Sequence, residues 1–202
     1  MANHEKRFSV LPERMPAPPL EQLNEAQKKV AADLIATRGK LQGPFMATIR
    51  SPKLADRMQQ LGAFIRYDCS LELRINRLVS LMVARHWSAQ YEWNGAVAHA
   101  LKAGLKQTVI DAIAENRRPE NMAEDEIIVY EFMNELLNYK SVSDATYAKA
   151  LAKFGEVSIV DMLGVAGYYT MQAMVMNVVR TPLAGDKPLP LPQMPHYLRA
   201  EP

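Results

Sequence analysis

The chain has 202 residues, which suits one domain with tails and is long enough to bury a core without staples. Its one cysteine, Cys69, excludes an internal disulfide, a CxxC redox pair and a multi-cysteine zinc site. Twenty-four Lys+Arg against 22 Asp+Glu leave a net charge of +2, with no basic block, so nucleic acid is not an expected partner.

The prolines mark the ends. Pro12, Pro16, Pro18 and Pro19 precede residue 20, and Pro182, Pro188, Pro190, Pro192, Pro195 and Pro202 follow residue 180. Proline is incompatible with helix interiors, so the middle is free to be helical and the ends are not. Three parts follow: an extended arm over 1–19, a helical domain over 20–180, and a Pro-rich arm over 181–202. Lys6 and Arg7 are not followed by an apolar core or a cleavage pattern, so no secretory signal is read and a cytoplasmic location is expected.

Leu23, Val30, Leu34 and Ile35 recur at helical spacing over 21–37, with Gly39 placed to end that helix. A turn spans Gly39 to Pro44. Ser51-Pro52 then reads as an N-cap followed by proline at the first helical position, with Leu54, Met58, Leu61 and Ile65 on one face. Ser70 is placed to cap the next segment. Over 71–86, Leu78, Val79, Leu81, Met82, Val83 and Ala84 cover more than one face, the pattern of a buried central helix. Ser88 would cap a helix closed by Gly104, and a short helix lies around 107–117. Glu124, Asp125 and Glu126 open an amphipathic helix over 123–140, where acids suit the positive helix end. Ser143 starts another that Gly155 stops, and the last runs over about 157–180. Nothing alternates with period two for long enough to form a sheet. The expected class is all-α, about eight helices in a single-domain bundle.

Met162–Val179 contains no charged residue and is 18 residues long, the lower limit for a membrane span. Tyr168, Tyr169, Thr170, Gln172 and Asn177 within it favour a buried central helix, and no membrane is expected.

The richest polar cluster is Arg85 to Trp93, with His99 downstream. Both tryptophans and two of the four histidines fall here, at a helix–helix junction where a ligand site could form. The plainer alternative pairs Arg85 with Glu92 and packs the tryptophans. Glu92, Ala96 and His99 share a helix face, with Glu92 and His99 about 10 Å apart along the axis. Gly95 and Ala96 leave room between them, for a ligand or for a closely packed helix. His86, Glu92 and His99 match no compact metal-ligand spacing, so no metal is expected. Neither a G-x-S-x-G elbow, a GxGxxG nor a phosphate loop occurs, and no cofactor is expected. Cys69 reads as a small packing residue.

Taken in order, Gly43-Pro-Phe45, Arg50-Ser-Pro52, Leu54-Ala-Asp-Arg57, Val83-Ala-Arg-His-Trp87, Gln90-Tyr-Glu-Trp93, Ala103-Gly-Leu105, Val142-Ser-Asp-Ala-Thr-Tyr147, Gly167-Tyr-Tyr-Thr170 and Asn177 resemble the carboxymuconolactone decarboxylase family. The resemblance covers about residues 40–183. It implies the all-α fold of the alkyl hydroperoxidase D-like type and a homo-oligomer. Peroxidases of that superfamily use a glutamate, a CxxC pair and a histidine as a proton relay. Alignment on Ala103-Gly-Leu105 puts Arg77 at the glutamate position, Ala89 and Glu92 at the cysteines and Ala96 at the histidine. Thiol peroxidase chemistry needs a thiolate and a resolving thiol, so that activity is not expected.

The resemblance instead implies a decarboxylase-like protein acting on a small unsaturated carboxylactone, or a related intermediate of aromatic catabolism, by cofactor-independent acid–base catalysis. Arg85 or Arg77 would hold the anion. His86 or His99 would give a proton or hydrogen bond. Glu92 would orient a histidine or act as the acid–base group, and Trp87, Tyr91 and Trp93 would shape a water-poor pocket. The alternative is a non-catalytic, oligomeric small-acid-binding or scaffold protein on the same fold.

Overall fold

The computed structural model describes residues 12–183 and 189–192. Among these described residues, after a 3-10 turn at Leu20–Gln22, eight helices follow: α1 Glu25–Arg38, α2 Phe45–Thr48, α3 Pro52–Tyr67, α4 Leu73–His86, α5 Gln90–Lys102, α6 Gln107–Ala114, α7 Glu124–Tyr139 and α8 Asp144–Val179. No strand occurs among the described residues, in agreement with the all-α expectation.

Helix α4 is the axis of the bundle. It packs against α5, α6, α7 and α8, and every residue from Leu78 to Arg85 is buried. A helix apolar on most faces can be satisfied only by neighbours on most sides. A second, smaller core joins α1 to α2 and α3 through Val30, Leu34, Phe45, Ile49 and Met58. Helices α3 and α8 meet at small residues. A Cβ added at Gly62 would lie 2.6 Å from the Tyr168 ring carbon that bears the hydroxyl, so only glycine admits that ring.

Several helix ends follow the sequence signals. Gly39 ends α1 with φ of 79° and donates to the Ile35 carbonyl at 2.7 Å. Ser143 caps α8, accepting from the Thr146 amide. Gly155 breaks α8 into arms over 144–154 and 156–179, with φ of 75° and ψ of 171°. Other serines do different work. Ser51 makes no side-chain cap bond. Ser70 sits before the start of α4 and instead binds α8, its amide donating to Asp161 Oδ2 at 2.7 Å. Ser88 has φ of 45° and accepts from Arg85 Nη1 at 3.1 Å. Lys140 and Arg180 end α7 and α8 in the left-handed region, where glycine would be the usual signal.

Arg74 ties the start of α4 to the start of α7. Its guanidinium donates to Asp125 Oδ2 and Glu126 Oε1, both at 2.6 Å, and to Glu72 at 3.3 Å. Hydrogen bonding to Asp125 is the largest of the causes that raise the Arg74 pKa.

The expected arms fall partly outside the described residues. The described portion of the first returns to the bundle, where the Arg14 amide donates to the Val179 carbonyl at 2.8 Å. In the second, Leu191 is buried in the main core. The Gln90 side chain grips its backbone like a strand partner, at 2.9 and 3.0 Å. No helix among the described residues is long and apolar enough to cross a membrane.

Candidate functional site

A cavity of about 1050 Å³ opens between α1, α3, α4, α5 and α8. Helix α5 presents Tyr91, Glu92, Gly95, Ala96 and His99 to it, and α4 presents Arg77 and Ser80. These are consecutive turns of two packed helices, so the shared helix face read from sequence becomes one wall.

Glu92 is the most unusual group in that wall. It is 7% exposed, and neither carboxyl oxygen has a hydrogen-bond partner among the described residues. Burial pushes its pKa well above the ordinary carboxylate range, and the Arg66 charge only partly opposes this. Such burial favours the neutral acid, the form able to donate a proton, over the carboxylate. The ion pair between Glu92 and Arg85 does not form. Arg85 turns the other way, donating to Ser88 Oγ and to the Pro192 carbonyl, both at 3.1 Å.

Arg77 reaches across to α8, where its Nη1 donates to the Tyr169 hydroxyl at 3.0 Å. Its Nε is buried without a partner among the described residues. His99 stands two turns beyond Glu92 on the exposed side of α5. Partial burial, then the charges of Arg77, Arg66 and Lys102, lower its pKa, so it is a neutral imidazole near pH 7. Gly43 has φ of 60° and brings its backbone against Tyr91, with a hydrogen bond to the phenol. Burial, the larger cause, raises the Tyr91 pKa.

Of the residues singled out from sequence, the structure therefore gathers Glu92, His99, Arg77 and Tyr91 around the cavity. It does not bring Arg85, His86, Trp87 or Trp93 into that lining. Trp93 is buried in the main core. His86 and Trp87 meet edge to face, 6.1 Å apart between ring centres, and the Trp87 carbonyl accepts from Asn177.

Two cavity arginines were not singled out from sequence, Arg38 and Arg66. Each sits in the last turn of its helix, where a basic residue already has a reason to be, as a complement to the helix dipole. Only the packing of α1 against α3 brings them together. No grouping of three His, Cys, Asp or Glu side chains able to hold a metal ion occurs among the described residues.

No protein-family model matches the chain, and no curated protein matches it. A solved structure does. The crystal structure of an alkylhydroperoxidase AhpD core, an uncharacterized peroxidase-related protein from Ralstonia eutropha JMP134, superposes with a TM-score of 0.71. It is 14% identical, over 87% of this chain and 95% of that one. The fold is therefore of the alkylhydroperoxidase D type. At this identity the likeness speaks for architecture and leaves the chemistry to the side chains.

Proposed function

We propose that the cavity binds a small carboxylate or lactone and transforms it by acid–base chemistry, in the manner of a carboxymuconolactone decarboxylase. The observation that carries this reading is Glu92, a buried carboxyl with two unpartnered oxygens on the wall of a cavity that also holds arginine. A structural glutamate buried this deeply would be expected to have a partner, as Glu126 has in Arg74.

In a decarboxylation, the carbon–carbon bond to the leaving carboxylate breaks and its electron pair spreads into the conjugated carbonyl. Carbon dioxide departs, and the carbanionic centre takes a proton. Arg77, held by Tyr169, is the group that stabilises the spreading negative charge. Neutral Glu92 supplies the proton to carbon. The proton that Glu92 gives up is restored from solvent, with uncharged His99 relaying it at the mouth of the cavity, one ring nitrogen accepting a proton from water as the other releases one inward. Tyr91 closes one edge against Gly43 and limits water.

Glu92→Gln keeps the shape and removes the proton. Turnover of an unsaturated carboxylactone is expected to fall at least ~100-fold, and His99→Ala to lower it less. Full activity in both variants would sink the reading. The second reading, a binder without turnover, is favoured by Ala96, which leaves no imidazole at the position of the relay histidine. Binding of aromatic acids and lactones without conversion by the wild type would select it.

We further propose that the chain is a homo-oligomer. On α8, Val160, Leu163, Gly167, Met174 and Val178 are exposed along one uncharged face. Such a face suits a second copy better than water, and sedimentation as a monomer at micromolar concentration would contradict it.

A further inference from the structure

The cavity contains two cationic positions, and the proposed reaction uses only the one at Arg77. The other is formed by Arg38 of α1 and Arg66 of α3. The Arg38 guanidinium lies 4.8 Å from the centre of the Phe45 ring, and that of Arg66 lies 5.8 Å from the Tyr168 ring. Both act electrostatically on the Tyr168 hydroxyl. They also act on each other: burial first, and then the Arg66 charge, lower the Arg38 pKa.

Neither guanidinium forms an ion pair among the described residues. Arg66 spends one nitrogen on the Gly62 carbonyl at 3.1 Å, and Arg38 Nε is buried with no acceptor. The nearby cavity acids do not serve them. Asp56 is engaged by Arg57, Gln59 and Gln60, and among the described residues neither Asp33 nor Glu92 forms an ion pair with either arginine. Arg74 shows the contrast, since the same chain surrounds that structural arginine with three carboxylates. Two forked donors that repel each other, in a cavity, without a counter-ion, are the arrangement an oxyanion relieves.

We propose that Arg38 and Arg66 form an oxyanion subsite, backed by the Tyr168 hydroxyl, that holds a second anionic group of the ligand. The ligand then carries doubled negative charge: one group faces Arg77 at the reacting end, and the other is gripped at Arg38 and Arg66. The placing of the reacting end rests on the proposed function; the subsite itself does not. The bound oxyanion is a carboxylate or a phosphate.

Calorimetric titration of the full chain at low salt with benzoate, isophthalate and phenyl phosphate tests this. At least one dianion is expected to bind tenfold or more tightly than benzoate. A gain for isophthalate alone identifies two separated carboxylates. A gain for phenyl phosphate identifies a dianionic head. Arg38→Met and Arg66→Met should each erase the gain, while Arg38→Lys and Arg66→Lys should retain part of it. If the methionine variants do not fold, the lysine variants and the wild-type ratio still decide. Equal affinity for all three probes, or a gain that survives in both methionine variants, overturns the subsite. Failure of the acid–base reading alone looks different: Glu92→Gln would then turn over normally with the dianion preference intact.

Discussion

Glu92→Gln is also a test of the electrostatics that underlie the proposed chemistry, and it can be read without a substrate. In the unfolded chain Glu92 ionises at the ordinary value of 4.5, whereas in the folded protein burial raises its pKa well above that. Between those two values the folded state holds one proton that the unfolded state has released. Stability conferred by neutral Glu92 is therefore complete below pH 4.5 and declines as pH rises through the window, by up to about 1.4 kcal/mol per unit for one proton. Above the folded pKa the decline stops, because both states are then ionised. Glutamine has the same shape and no titration. Its buried amide, lacking partners, carries a cost of about 1–3 kcal/mol that does not vary with pH. The informative quantity is therefore the difference in slope between the two proteins, and the offset between them is of no consequence. Urea unfolding at steps from about pH 4 to about pH 8, with linear extrapolation, measures it. The wild-type curve should fall relative to the variant above pH 4.5. Parallel curves would show that Glu92 ionises normally in the fold, and the proton-donor role would fall with that result.

Three further outcomes are expected. Gly62→Ala places a methyl carbon 2.6 Å from a Tyr168 ring carbon; it should cost about 1–3 kcal/mol despite alanine's better helix propensity, measured by chemical denaturation. Arg74→Met leaves Glu126, with a side chain only 4% exposed, without its cation, and should cost about 3–5 kcal/mol in the same assay. Wild-type protein should reduce peroxide no faster with added thiol than buffer does, and Cys69→Ser should change nothing, because Cys69 Sγ is directed to the Ile65 carbonyl and to Asn76, away from the cavity wall; thiol-dependent turnover would refute this.

Much of the fold was legible because helices write their periodicity locally. The central helix, the left-handed glycine after α1 and the break at Gly155 could all be read from neighbouring residues. What could not be read was decided by distant partners. Helix α2 has four residues and no period to detect. Ser70 and Ser88 resemble caps, yet their hydroxyls and amides are claimed by Asp161, Ser158 and Arg85. The same division runs through the site. Glu92, His99, Arg77 and Tyr91 lie on two consecutive helices, so their grouping follows from helix geometry. Arg85 shares a sequence cluster with Glu92 but sits on the side of α4 that faces Leu191 and Pro192. Arg38 and Arg66 belong to the cavity only because α1 folds over α3, which no local pattern records.

The grip of Gln90 on Leu191 has a consequence for the order in which the molecule is completed. Gln90 is the first residue of α5, two positions before Glu92, and Arg85 lies one turn earlier on α4. The turn that aims the carboxyl into the cavity is thus sealed by a residue about a hundred positions later. During synthesis that seam stays open until about a hundred further residues have been added after Gln90, leaving a leucine-sized gap and two unmet polar groups beside the site. Closing it buries a side chain worth about 1.5–3 kcal/mol. The segment around Leu191, made long after α5, thereby completes the packing behind the first turn of that helix.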